Sequence, residues 1–141
     1  MSISHFFKKT GLLLLLGVSL SLIGACANMN NKSLQGEVFY LERMALPENA
    51  EVYVFLQDVS LADAPAPILA QTVINANGKQ VPIPFTLTYD GSVIKANHTY
   101  SIRANIKVGD RLMFTTTEHL GLKLDGSDLQ PIKVRVERVR R

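Results

Sequence analysis

Two regions of the chain differ in how apolar and polar residues are arranged. Residues 11–23 form one continuous apolar run, whereas from residue 34 onward apolar and polar residues alternate within short runs. Alternation with a period of two is typical of strands with one buried face, and helical periodicity is nearly absent. The chain beyond residue 34 is therefore predicted to be all-β.

Runs rich in β-branched and aromatic residues mark the predicted strands. They lie at residues 34–42, 51–59, 68–76, 81–89, 100–108, 111–117 and 131–139. The segments between them contain Pro, Asn, Asp and Gly, which preset φ or tolerate positive φ in turns. We predict a single antiparallel β-sandwich of about seven to eight strands, which occupies residues 34–141.

Three of these runs carry more specific expectations. Pro82 and Pro84 both lack an amide donor on the same side of their run, which predicts an edge strand. Such an edge either blocks unwanted strand pairing or receives a partner strand or ligand. The Gly109-Asp110 pair predicts a tight hairpin between the fifth and sixth strands. Residues 52–56 are apolar on both faces. This strand is therefore either central and covered on both faces, or it meets a ligand or partner with its outer face.

The N-terminus has the layout of a secretion signal. Lys8 and Lys9 precede the apolar run, and the small residues Gly24 and Ala25 follow it. A helix of this run reaches about 20 Å, which is short of the roughly 30 Å hydrocarbon core of a bilayer. We predict a signal peptide over residues 1–25.

The end of this signal resembles the lipobox of bacterial lipoproteins, because an apolar-small-small sequence ends directly at Cys26. The resemblance implies cleavage between Ala25 and Cys26, a diacylglyceryl group on the Cys26 thiol and an acyl group such as palmitate on its amino group. Residues 26–33 would then form the lipidated N-terminus and a short tether. The alternative is an ordinary signal peptide in which Cys26 is incidental.

Composition narrows the classes of function. Cys26 is the only cysteine, so the domain has no intramolecular disulfide. The formal charge is +3, and without Lys8 and Lys9 there are 13 basic and 12 acidic side chains, which does not favour nucleic-acid binding. Residues 132–141 contain five of the basic side chains. This cluster either meets lipid phosphates or serves solubility and edge protection.

Residues capable of chemistry are scattered. His98 and His119 lack the spacing of metal ligands, and no motif of a catalytic nucleophile is present. Aspartates near strand ends and turns are expected to bond nearby backbone amides, and they are Asp58, Asp63, Asp90, Asp110, Asp125 and Asp128. We expect no enzyme activity, no metal site and no cofactor.

Several blocks together resemble the YbaY/YscW family of lipoproteins. They are residues 36–40 with Glu42-Arg43, residues 45–47, residues 50–60, residues 81–85 and residues 100–114. The resemblance implies a β-sandwich lipoprotein of the Gram-negative outer membrane, in a family of which one branch contains pilotins for a type III secretion ring protein. Ala27 after the cysteine, where an Asp would imply retention in the inner membrane, implies delivery to the outer membrane, facing the periplasm.

Three hypotheses follow. The leading one is a non-enzymatic outer-membrane lipoprotein that binds a protein or lipid partner in envelope assembly or maintenance. The second is a pilotin, a chaperone for the secretin of a secretion system. The third is an enzyme or binding protein for envelope glycans or lipids. All three place the chain on a membrane through the lipid on Cys26, and none involves nucleic acid.

Overall fold

Strands make up nearly all of the regular structure in the part of the chain that the structure describes. The structure is a computed structural model and describes residues 30–140. Its strands are β1 (Asn31–Phe39), β2 (Ala50–Asp58), β3 (Ile68–Asn75), β4 (Ile83–Asp90), β5 (Tyr100–Val108), β6 (Arg111–Thr115), β7 (Leu120–Leu122), β8 (Ile132–Arg135) and β9 (Glu137–Arg138). A 3-10 turn, Gly91–Val93, lies between β4 and β5. Within this range no helix has the length and apolar character to cross a membrane.

Two sheets pack face to face around one core, which confirms the predicted all-β sandwich. One sheet has the order β4-β1-β8, and the other has the order β3-β2-β5-β6-β9 with β7 also beside β5. Alternate residues point into the core, as in β2, where Val52, Val54 and Leu56 are fully buried. The predicted alternation of residues 81–89 is also confirmed, because Ile83 and Leu87 are buried while Pro84 and Thr86 are exposed.

The first strand begins earlier than predicted. β1 starts at Asn31, and residues 31–33, which were expected in the tether, pair with Asp90, Tyr89 and Thr88 of β4. Their polar side chains are exposed, and strand pairing uses only the main chain, so polarity did not prevent it. The ladder ends at Phe39 rather than at residue 42, which leaves four residues between Cys26 and the first strand.

The last predicted strand is divided between the two sheets. β8 pairs with β1, whereas β9 pairs with β6 in the other sheet. Val136 is fully buried at the crossover, and its amide donates to Phe39 O at 2.9 Å. The β1–β8 pairing is parallel, so the expectation of a wholly antiparallel sandwich is wrong at this pair. Alternation in sequence specifies which side chains are buried but not the sheet or direction in which a strand pairs.

The predicted edge strand and hairpin are both confirmed. β4 lies at the edge of its sheet, and Val108 pairs with Arg111 across the Gly109-Asp110 turn, where Gly109 has φ of +58°. Positive φ is the conformation that glycine adopts at little cost. The short strand β7 was not predicted, because three residues are too few to show a period.

The outer face of β2 is open within the described residues. Tyr53 and Phe55 are half-buried, and their rings lie 6.3 Å apart between centroids. Lys107 Nζ stands 5.1 Å from the centroid of the Tyr53 ring. Side chains of the same sheet thus provide the cover, and the expectation of a strand covered on both faces by other elements is wrong here.

Candidate functional site

A groove of about 1100 Å³ lies where β6, β9 and the segment after β1 meet. We call it the arginine groove. Its lining residues are Leu41, Glu42, Arg111, Leu112, Met113, Arg135, Glu137, Arg138, Val139 and Arg140.

The groove exists because β1 ends before its neighbour does. The Val136 amide still donates to Phe39 O, but the next amide that faces this side, that of Arg138, donates to the Glu42 carboxylate at 3.0 Å. On its other side the same segment stays paired with β6, since the Val139 amide donates to Met113 O at 2.9 Å. The outer edge of residues 138–140 is therefore bordered by a side chain instead of a strand.

Buried aromatic residues form the support beneath the groove. The rings of Tyr40 and Phe114 stack with centroids 4.3 Å apart, and the Tyr40 hydroxyl donates to Met44 O. At the rim, Leu41 is 67% exposed and Leu112 is 37% exposed. Large apolar side chains on a rigid base are typical of interaction surfaces.

Positive charge dominates the lining. Four arginines face two glutamates there, whereas the chain beyond the predicted signal is nearly neutral. Arg135 pairs with Glu118 and Glu137 at 3.9 and 3.3 Å. Within residues 30–140, Arg111, Arg138 and Arg140 form no ion pair, so their charge is available to a ligand.

Glu42 stays ionised beside these arginines. Burial of its carboxyl opposes ionisation, but the amides of Arg138, Glu42 and Leu41 and the charge of Arg135 outweigh it and lower the pKa of Glu42. Its Oε2 atom is buried and is the one such side-chain atom without a hydrogen-bond partner in residues 30–140. A donor from a ligand would satisfy it.

The arginine groove lies far from the point where the chain enters the domain. β1 enters at Asn31 and reaches the groove beyond Phe39. Its eight residue steps cover about 27 Å at roughly 3.3 to 3.4 Å per step. The groove therefore lies at the end of the sandwich opposite the N-terminal attachment.

A second polar cluster joins β2 to the loop before β5. Asp58 accepts from the Ser60 hydroxyl at 2.5 Å and contacts His98 Nδ1 at 2.5 Å. The Ser60 oxygen also accepts from the Thr99 amide at 2.9 Å. A catalytic triad places histidine between serine and the carboxylate, but here the carboxylate is central. The cluster holds a loop in place, and its geometry does not activate Ser60 as a nucleophile.

Three other aspartates singled out from the sequence have structural roles, whereas the expected amide bonds to Asp63 and Asp110 do not form within residues 30–140. Asp90 and Asp125 accept from the amides of Ser92 and Ser127, as expected for carboxylates at turns. Asp128 accepts from two amides, those of Lys123 and Leu124. Across residues 30–140 there is no group of His, Cys, Asp and Glu side chains suited to hold a metal ion. The predicted cleavage and lipidation residues, Ala25 and Cys26, lie outside the described residues.

The sequence indicates only part of the groove. The basic C-terminal run is visible in it, but nothing in the local pattern connects Leu41, Glu42 and Arg111 to that run. Leu41 and Glu42 lie about 90 to 100 positions before that run and Arg111 lies on β6, and only the β8–β9 crossover brings them together. The break in alternation at Leu41-Glu42, where an apolar side chain becomes exposed, was the available signal.

Comparison with known proteins places the fold in a family. The family described as "Type III secretion system lipoprotein chaperone (YscW)" matches residues 29–130. The "Uncharacterized lipoprotein YbaY" of Escherichia coli (strain K12) is 38% identical over 84 residues, which are 60% of this chain and 44% of that protein. The matched region thus spans less than half of that curated relative.

A solved structure gives a closer fit over the whole domain. It is described as "Structure of an alternative pilotin from the type II secretion system of Vibrio cholerae". The two chains are 45% identical with a TM-score of 0.74, and the match covers 79% of this chain and 99% of that one. On these grounds the chain belongs to the YscW family of bacterial lipoprotein chaperones, to which the YbaY-like lipoproteins are related.

Proposed function

We propose that this chain is a lipid-anchored pilotin, a chaperone that binds a secretin subunit and helps it reach the outer membrane. The observation that carries the proposal is the match to the Vibrio cholerae alternative pilotin over 99% of its length. The arginine groove adds a surface that a protein partner can occupy, with exposed leucines and with arginines that form no ion pair among residues 30–140. This function is narrower than a general role in envelope assembly, and the comparisons favour it.

Anchoring is the second part of the proposal. Cleavage between Ala25 and Cys26 leaves Cys26 as the first residue, and its acyl chains insert into the outer membrane on the periplasmic side. One acyl chain binds a membrane only marginally, whereas two or more hold a protein stably. Four residues separate Cys26 from β1, and the connection reaches at most about 17 Å. The domain is therefore held close to the membrane.

The experiment for binding is crosslinking in living cells, followed by isolation of the tagged protein and identification of what is attached. We expect a secretin subunit among the crosslinked proteins. Absence of every secretin from the isolate, in cells that express one, contradicts the proposal.

The experiment for anchoring compares Cys26→Ser with the parent and with Ala27→Asp. We expect Cys26→Ser to lack acyl groups by mass spectrometry and to leave the membrane fraction. Ala27→Asp should remain acylated but move to the inner membrane, because Asp after the lipidated cysteine favours retention there. An acylated protein in the Cys26→Ser strain, or Ala27→Asp found only in the outer membrane, counts against this part of the proposal.

A further inference from the structure

We propose that the arginine groove binds an acidic segment of the partner in extended conformation. The inference rests on the pilotin function proposed above and adds the chemistry of the segment that is recognised. It is carried by the charges, the open strand edge and the position of the groove in the molecule.

Charge complementarity selects an acidic ligand. Arg111, Arg138 and Arg140 line the groove without an ion pair in residues 30–140, while Arg135 is already engaged by two glutamates. Guanidinium groups bind carboxylates through paired hydrogen bonds, which gives them a preference for acidic side chains. Leu41 and Leu112 at the rim add contacts for apolar side chains between the acidic ones.

The main chain of residues 138–140 favours a ligand in extended conformation. β9 ends at Arg138, but the Val139 amide still donates to Met113 O on β6. Because successive amides of an extended chain point to opposite sides, the Arg140 amide is inferred to face the groove as the Arg138 amide does. The Arg138 amide already donates to the Glu42 carboxylate, whereas the Arg140 amide has no acceptor among residues 30–140. A partner strand could accept from Arg140 and donate to the unpartnered Glu42 Oε2. Addition of a strand to a sheet edge is a common way to bind peptides.

Position argues against membrane lipid as the ligand. The groove lies about 27 Å along β1 from the anchored end, by strand geometry. With β1 directed away from the membrane, this distance is well beyond the roughly 8 Å over which headgroup charges act at physiological ionic strength. The arginines are thus placed to meet a molecule that approaches from the periplasm.

The test uses the full lipidated protein in nonionic detergent and a labelled synthetic peptide in which glutamate alternates with leucine. We expect binding by fluorescence anisotropy that weakens as salt is raised. Arg111→Glu and Arg138→Glu should each weaken binding by about tenfold, because each replaces an attraction with a repulsion. The matched control is Lys95→Glu, an exposed charge at the anchored end, which should stay within about twofold of the parent.

Specific outcomes overturn the inference. Equal binding of a lysine-leucine peptide, or unchanged binding by both groove variants, contradicts acidic recognition. If the groove variants bind the peptide as the parent does but lose binding to vesicles of phosphatidylglycerol, the groove binds lipid instead. A peptide with N-methylated alternate amides should bind more weakly, and equal binding contradicts the extended strand.

A cell experiment separates this inference from the proposed function. The crosslinking experiment is repeated with Arg138→Glu, and we expect fewer secretin crosslinks than with Lys95→Glu. If the parent protein crosslinks to no secretin, the pilotin function fails. If the parent and Arg138→Glu capture the secretin equally, the pilotin function stands and the groove inference fails.

Discussion

At the scale of single residues, Asp58 is a polar side chain with a structural role, because its hydrogen bonds hold a loop in place. Hydrogen bonds from the Ser60 hydroxyl and from His98 lower the pKa of Asp58 to about 2, although burial acts in the other direction. The ionised carboxylate joins the end of β2 to the residues that precede β5. The sequence predicted the bond to a nearby amide, but not His98, which lies 40 positions away.

Asp58→Asn should lower the free energy of unfolding by about 1 to 2 kcal/mol at pH 7, because charge-assisted hydrogen bonds are lost. The pKa of Asp58 is lower in the folded state, so its contribution is complete above pH 3.8 and disappears as the pH falls through about 2. Urea unfolding should therefore show the difference between parent and variant shrinking over this range. Asp63→Asn, at an exposed position, is the control, and a constant difference for Asp58→Asn contradicts the account.

Gly36 fills a place where no side chain fits. An added Cβ would lie 2.4 Å from Ile132 O and 2.5 Å from the Phe85 ring, because β1 is central between β4 and β8. Gly36→Ala should destabilise the fold by about 1 to 3 kcal/mol, the usual cost of overpacking a core. Ser33→Ala, at the exposed start of the same strand, should change the unfolding midpoint little. A Gly36→Ala protein as stable as the parent indicates that the Phe85 ring and β8 lie less close to β1 than described.

At the scale of elements, the C-terminal strand connects the two sheets. β8 extends one sheet and β9 extends the other, and Val136 lies fully buried between them. The same crossover forms the arginine groove, because β9 continues past the end of β1. Stability and the candidate site therefore depend on one bent strand.

Val136→Ala should lower the free energy of unfolding by about 2 kcal/mol, from lost burial and a residual cavity. Lys133→Ala, on the exposed face of β8 with a surface ion pair to Glu37, should cost less than about 1 kcal/mol. Urea denaturation measures both variants. Equal stability of the two would show that the crossover contributes little.

At this scale, the features that can be predicted from the sequence are those that neighbouring residues specify. Pro82 and Pro84 identified an edge strand, and Gly109-Asp110 identified a hairpin, because missing donors and turn conformations are properties of neighbouring residues. The parallel pairing of β8 with β1 brings Gly36 beside Ile132, which local patterns do not encode. The resemblance identified the family, but the arginine groove becomes visible only when the strands are assembled in the fold.

At the scale of the whole molecule, the proposed function gives the two ends of the sandwich different tasks. The proposed lipid on Cys26 holds the end at which β1 begins, and the arginine groove lies at the other end. A secretin segment bound there would be kept near the membrane and still be reachable from the periplasm. Under the proposed function, location and recognition are thus separated along β1.

The most direct measurement is the amount of secretin multimer in purified outer membranes of cells that carry the parent gene, lack it, or carry Cys26→Ser or Ala27→Asp. The account predicts multimers with the parent protein and their loss from the outer membrane in the other three strains. The gene deletion should be restored by the parent gene on a plasmid. Normal outer-membrane multimers in cells without this protein would contradict the pilotin function.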